Sequence, residues 1–451
     1  MQFERHIYKS LLEWKAESPR KPLVLRGARQ VGKTTLVKQF AKLFKNKILL
    51  NLEKPADIDF FNKYSDAKTL VDALFLKNNI KYSEMNNTIL FIDEIQESPQ
   101  AIAMLRYFFE DTPDLYVIAA GSLLEHALKK VKSFPVGRIS YLFMHPLNFA
   151  EFLEATGHDM LLEEMQKIPI SKTAHPLLLE AFKKYVVIGG MPEIVSKFIE
   201  KGSVAALPPI YESIWETYKN DIEKYATGDT NAKVMKHIVE VAHLFFDDRI
   251  KFQNFGNSNY RSREVGEAFR SLDAAKIIQL IYPTTSLNIP IVPDLKKSPR
   301  LQFLDVGILN HELKIQQDLL ALDDLNSIYK GAIIPQIIFQ ELLSLNQTTY
   351  KKPTFWVREK TQASAEVDIV MNYKNLIIPI EIKSGSTGSL KSLHQFIDSV
   401  NHPFAVRIYA GEYKIEESIT PEGKPYLLMN IPYYLGCKIK DYIRHFVESR
   451  T

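Results

Sequence analysis

Cysteine is nearly missing: Cys437 is the one thiol in 451 residues. A lone thiol excludes an internal disulfide, and no group of Cys and His has the spacing of a metal site. Long apolar runs are missing too. None approaches the roughly 18 residues needed to cross a bilayer, so a membrane partner is not expected. The opening MQFERHIYKS lacks the apolar core of a signal peptide. These absences predict a cytoplasmic protein. Nor does one sign of charge prevail: Lys plus Arg number 57 against 53 Asp plus Glu, a net of +4. Dispersed as they are, these charges permit contact with nucleic acid without arguing for it. There is no internal repeat and no low-complexity tract. Hydrophobic residues make up 46% and charged residues 24%, the balance of a folded protein. The length exceeds one ordinary core and predicts several domains.

To about residue 150, strand-like and helix-like runs alternate. PLVLRG (22–27), KILLNL (47–52), TILFID (88–93), LYVIAAG (115–121) and ISYLFM (139–144) read as buried strands, and 34–44 as a helix. Strands separated by helices predict a parallel α/β sheet. Residues 147–225 read as helical, broken at Gly189-Gly190-Met191-Pro192. Short helices and apolar runs follow, with 286–300 as a loop or wing. Near the end, 333–345 reads as a helix, 355–359, 365–371 and 376–383 as consecutive strands, 389–400 as a helix and 403–410 as a strand.

The sharpest local pattern is Gly27-Ala28-Arg29-Gln30-Val31-Gly32-Lys33-Thr34, followed by Thr35. It fits G-x-x-x-x-G-K-[ST] between a strand and a helix. Main-chain N–H groups of such a loop wrap a phosphate, and glycines allow the close approach. The helix N-terminus adds donors and partial positive charge. Lys33 would reach the β/γ-phosphates and the Thr34 hydroxyl would ligate Mg²⁺. The run ending in Asp93-Glu94 supplies two carboxylates. Asp93 is placed to hold Mg²⁺ through water and Glu94 to polarise the attacking water. Ser122 ends a third strand and would sense the γ-phosphate or serve only as a turn residue. Arg138 is a candidate to offset transition-state charge, in cis or from a neighbouring subunit of a homo-oligomer, or is a surface arginine.

GARQVGKTTL, LFIDEIQ, AAGSLLE, PVGRISYLFMHPLNFAEFL and GGMPEIV, in this order, resemble the prokaryotic AAA_14-type ATPases. PRLQFLDVGILNHEL, YKGAIIPQIIFQELL, AEVDIV and IEIKSG resemble the C-terminal DUF4143 module that usually accompanies them. The likeness covers nearly the whole chain. It implies kinship with AAA+ and STAND-type ATPases and a winged-helix module after the core. Where that wider group often has Asn as its sensor, this chain has the shorter Ser122.

Asp368 and Glu381-Ile382-Lys383 lie on adjacent predicted strands, with Glu341 on the preceding helix. Glu381 and Lys383, two apart, emerge on one strand face. Two acids and a lysine meeting at a sheet suit a divalent metal, Mg²⁺ or Mn²⁺, and an activated water. The set E…D…E-x-K resembles the PD-(D/E)xK nuclease fold. An ion pair in a platform that binds without cleaving is the competing reading. Gln395, on the next helix, is given no role. In the middle, Arg261, Arg263 and Arg270 could meet phosphates, but Glu264, Glu267 and Asp273 dilute them.

The expectation is an α/β protein: a P-loop parallel-sheet ATPase core (1–150), a helical linker (151–225), a winged-helix-like module (226–325) and an α/β nuclease-like domain (326–451). It would bind and hydrolyse ATP with Mg²⁺ and act on DNA, branched or single-stranded. The alternative is a nucleotide-controlled switch whose C-terminal domain binds without cleaving.

Overall fold

Five short apolar runs of the N-terminal third form a sheet: β1 (Leu23–Gly27), β2 (Asn46–Asn51), β3 (Thr88–Asp93), β4 (Tyr116–Gly121) and β5 (Ser140–Met144). In this computed structural model, residues 3–122, 137–321, 331–360, 363–383 and 390–450 are described. The strands run parallel in the order β2-β3-β4-β1-β5. Every residue of β3 is buried, because crossover helices cover both faces of a parallel sheet. That is why TILFID reads as continuously apolar rather than alternating. Helices Ala67–Lys77 and Pro99–Asp111 bury Leu70, Leu74, Leu105 and Phe108 against Leu90 and Ile92. The helix expected over 34–44 runs Lys33–Phe40 and tightens to a 3₁₀ turn at Ala41–Leu43. This unit comprises Met1–His145, Ala274–Ile277 and Asn346–Tyr350.

The second unit comprises Pro146–Asp273, Ile278–Leu345 and Lys351–Thr451. It opens as helices, among them His175–Ile188, Pro192–Lys201, Pro208–Tyr225, Asp229–Val241 and Ser262–Ala274. The first of these stops at Gly189 and the next starts at Pro192, so the Gly-Gly-Met-Pro break lies where the sequence put it. Two antiparallel strands follow, β6 (Ile278–Ile281) and β8 (Arg300–Phe303), with the two-residue β7 (Pro283–Thr284) between them in sequence.

After helix Ile333–Ser344 come β9 (Thr354–Lys360), β10 (Ala363–Tyr373) and β11 (Leu376–Ile382), the three consecutive strands the sequence predicted, paired antiparallel. Helix Lys391–Asp398 leads to β12 (Phe404–Tyr409), parallel to β11, and then to β13 (Lys414–Ile419) and β14 (Pro425–Pro432). Helix Ile439–Glu448 ends the described chain order. The mixed sheet runs β13-β14-β12-β11-β10-β9-β7. No described helix is long and apolar enough to cross a membrane.

Candidate functional site

The loop after β1 is held by its own backbone and by one distant arginine. Gly32, at φ +98°, turns the chain into helix Lys33–Phe40, a left-handed conformation that glycine adopts without penalty. Arg5 donates to the Val31 carbonyl at 3.0 Å and to the His145 carbonyl at 2.7 Å. It thereby ties the loop to the end of β5. Lys33 folds over the loop and donates to the carbonyls of Ala28 (2.7 Å) and Gly27 (3.1 Å). Burial lowers its pKa to about 8, against the pull of Glu94 and Asp93. Arg29 reaches Glu53 at 3.5 Å.

Asp93 ends β3, and its carboxylate accepts from the Thr34 hydroxyl at 2.8 Å. These are the two residues the sequence assigned to Mg²⁺, and their oxygens lie side by side. A hydroxyl beside a carboxylate is a donor set suited to a hard cation, so the residues fit that ion. Burial raises the Asp93 carboxyl above its ordinary value, which an adjacent cation would reverse. Glu94 sits at φ +50° just past the strand, in the left-handed region uncommon for a non-glycine residue and worth a functional question.

Gln96, which the sequence reading passed over, donates to the Glu94 carboxylate at 2.6 Å. A Cβ on Gly121 would lie 2.4 Å from the Gln96 amide oxygen, so a side chain at the end of β4 would displace the Gln96 amide from its present position. The signal was present in LFIDEIQ, but a glutamine in a turn carries no chemistry until its partner is known. Ser122 is buried at the end of β4, and its hydroxyl has no hydrogen-bond partner among the described residues. Residues 123–136, including Leu123, Leu124 and Glu125 of AAGSLLE, lie outside the described residues.

Arg138 requires a correction. It precedes β5, whose Ser140 lies opposite Leu23 at the start of β1. The phosphate loop leaves the far end of β1, about 13 Å away at ~3.3 Å per residue. There Arg138 is exposed and pairs with Glu110 at 3.2 Å. That geometry places it away from the phosphate loop of its own chain, which leaves the surface-arginine reading and supply to a neighbouring copy.

In the second unit the structure brings Asp368, Glu381 and Lys383 together and adds residues that no sequence pattern offered. The β9–β10 register shifts between Val367 and Val370, so Asp368 lies in an irregularity of the kind that re-aims side chains. One step beyond the Ile369–Ile380 pair of β10 and β11, it faces Glu381. One Asp368 oxygen accepts from the Ile382 N–H at 2.8 Å, the other from Arg300 at 3.2 Å. Lys383 pairs with Glu381 at 2.6 Å, while the other Glu381 oxygen is buried without a hydrogen-bond partner among the described residues. Burial and then the Asp368 charge raise the Glu381 carboxyl.

Arg300 of β8 also bonds Glu366, and it lies 3.8 Å from Asp247. Burial works against its charge, but Asp247, Asp368 and Glu366 outweigh it and hold the guanidinium above its ordinary value. Burial pushes the Asp247 carboxyl up to about 7 despite Arg300.

Glu341 does not join this set. Phe339 of the same helix lines the small space beside Arg300 and Asp368, and Glu341, two residues on, points about 200° away. It is fully buried and accepts from the Tyr185 hydroxyl at 2.7 Å and the Phe149 N–H at 3.0 Å. Burial pushes its pKa up to about 7. Nearby, Asp305 accepts from the Gly190 N–H at 2.6 Å and the Gly307 N–H at 2.9 Å. The phrases GGMP and LDVG are therefore two sides of one buried joint. Arg263 is exposed and pairs with Glu267 of its own helix at 3.0 Å, and the Arg261 N–H donates to Glu264.

Residues 19–153 match the AAA_14 family, described as an AAA domain. Residues 179–319 match a domain of unknown function, DUF8612, and residues 330–422 another, DUF4143. No curated protein matches the sequence. Among solved structures, the Walker-type ATPase PABY2304 of Pyrococcus abyssi is 15% identical with a TM-score of 0.45, covering 69% of this chain and 96% of that one. The Pif1 helicase of Candida albicans is 13% identical with a TM-score of 0.21, covering 40% and 48%. Both likenesses are too low to bear on function. Residues 19–153 thus resemble an AAA-type domain and residues 330–422 a DUF4143 domain, in the order the sequence motifs suggested.

Proposed function

We propose that this P-loop ATPase binds and hydrolyses ATP with Mg²⁺ and couples turnover to DNA, branched or single-stranded, through its C-terminal sheet domain. The observation that carries the nucleotide half is the convergence of Lys33, Thr34, Asp93 and Glu94 at the carboxyl ends of β1 and β3, where ligands of parallel sheets sit. The N–H groups of residues 27–35 grip the phosphates, and Lys33 turns from the loop carbonyls to the β/γ-phosphates. Thr34 and Asp93 would hold Mg²⁺, which when bound would offset phosphate charge. Glu94 orients and deprotonates the attacking water, with Gln96 fixing its carboxylate and Ser122 beside the γ-phosphate. Lys33→Ala is expected to abolish ATP binding. Glu94→Gln is expected to bind ATP and stop turnover, and undiminished turnover would remove it as the base.

At the C-terminal site, Asp368 and the buried free oxygen of Glu381 fit a hard divalent ion, and Lys383 would orient a nucleophile. This reading supports Mg²⁺- or Mn²⁺-dependent nicking of DNA. The charge balance favours a second one. Arg300 and Lys383 already neutralise the carboxylates, as in a domain that binds DNA under nucleotide control without cutting it. Cleavage of branched and single-stranded DNA by the wild-type protein and Lys383→Ala decides between them. Metal-dependent nicking lost in the variant supports the first, and no nicking with any divalent metal supports the second.

A further inference from the structure

Five carboxylates and four cations meet where β8 lies against the β9–β10 pair, and they divide by origin. Arg249, Lys297 and Arg300 come from one small ladder: Asp247 and Ile250 donate backbone N–H groups to Leu301 and Pro299 at 2.7 and 2.9 Å. Glu359, Glu366 and Asp368 come from β9 and β10. Arg249 pairs with Glu359 at 2.7 Å and with Glu366 at 3.7 Å, Lys297 pairs with Glu359, and Arg300 pairs with Glu366 and Asp368. The other two carboxylates are Glu381, paired with Lys383, and Asp247, which travels with Arg300 on its own ladder.

Because the Ile382 N–H occupies one Asp368 oxygen, the other is the one free to ligate a cation, and that oxygen faces Arg300. We propose that Arg300 is a built-in cation that closes the Asp368–Glu381 site, and that a divalent ion enters only when a phosphodiester backbone draws Arg300, Arg249 and Lys297 off their carboxylates. The inference rests on reading Asp368 and Glu381 as a metal-binding pair.

Three features support the closure. A guanidinium stays charged at any accessible pH, so movement rather than titration must open the site. The side chain of Arg300 is only 11% exposed, whereas Arg249 and Lys297 are 28% and 33% exposed. The outer pairs are therefore screened and weak, within reach of a competing polyanion. Finally, Asp247 lies 3.8 Å from Arg300 on the same ladder, so Arg300 keeps a carboxyl beside it when it leaves Asp368. Glu366, Asp368 and Glu381 are then left with Lys383, a net charge that a divalent ion would offset.

The test counts Mn²⁺ by electron paramagnetic resonance on the full chain carrying Asp93→Asn, so that the phosphate-loop ion does not contribute. Counts are taken as the difference from the same chain with Asp368→Asn added, which cancels ions held by DNA. Without DNA the difference is expected to be zero. It should become one ion per chain with Arg300→Gln, or with single-stranded DNA added and Arg300 intact, and stay zero with Arg300→Lys in the absence of DNA. One Asp368-dependent ion with Arg300 intact and no DNA overturns the closure and leaves the metal pair standing. No ion in either opened case, with circular dichroism showing a folded chain, overturns the metal pair and the closure with it. Should Arg300→Gln not fold, the DNA arm alone decides: one ion supports the proposal and none overturns it.

Discussion

Lys33 carries the sharpest consequence at the scale of a residue. Burial lowers it to about 8 in the free protein, so near that pH it begins to lose its charge. Phosphates favour the charged form, so binding lifts the pKa and takes up a proton at alkaline pH. ATP affinity is expected to weaken as pH rises from 7.5 to 9. Calorimetry at pH 8.5 in two buffers of different ionisation enthalpy should show net proton uptake. Lys33→Arg, permanently charged, should show none if it binds, and equal uptake would assign the proton elsewhere. Gln96 carries the second. Removing its 2.6 Å bond to Glu94 with Gln96→Ala should lower kcat about tenfold, the worth of roughly 1.4 kcal/mol, while leaving KM for ATP near wild type. A fall confined to KM would make Gln96 a loop residue rather than one that positions Glu94.

At the scale of elements, the phosphate loop depends on a residue far outside it. Arg5→Ala removes the tie to Val31. A charged hydrogen bond contributes about 1.5–3 kcal/mol, so ATP affinity should drop about tenfold or more without loss of the sheet, read by calorimetry beside circular dichroism. The buried carboxyls of the second unit set its response to pH. Asp305 titrates at about 6, and Glu341 and Asp247 at about 7. All three lie above their unfolded values near 4, so each binds its proton preferentially in the folded state. Their contribution is complete below about pH 4 and is lost as pH rises through 6 to 7. Unfolding of this unit is thus expected at higher temperature at pH 6 than at pH 8, and Glu341→Gln should flatten that difference. An unchanged slope in the variant would show that Glu341 does not titrate there.

The same elements show what a sequence discloses. The β1–β5 runs and the three strands 354–382 were legible because burial writes itself as local apolar pattern. Strand β13 was not, since its residues are all exposed or half-buried and offer no apolar signal. Asp368, Glu381 and Lys383 were found because a hairpin brings them together. Arg300 was missed because it lies 68 residues from Asp368. Glu341 was misplaced because a helix alone does not reveal which face meets the sheet.

At the scale of the whole molecule, one chain carries an AAA-type domain and a sheet domain with the paired carboxylates Asp368 and Glu381. Steady-state hydrolysis is expected to rise several-fold with single-stranded or branched DNA; unchanged turnover with every DNA form would favour the nucleotide switch. The order of motifs along the chain was legible, whereas the charge pairing between β8 and β10 depends on the fold. The central claim remains that residues 27–34 grip a triphosphate. Calorimetry of the purified protein with ATP and Mg²⁺ tests it most directly: one ATP per chain, lost in Lys33→Ala, is the expected result, and no heat of binding in the folded wild-type protein would contradict it.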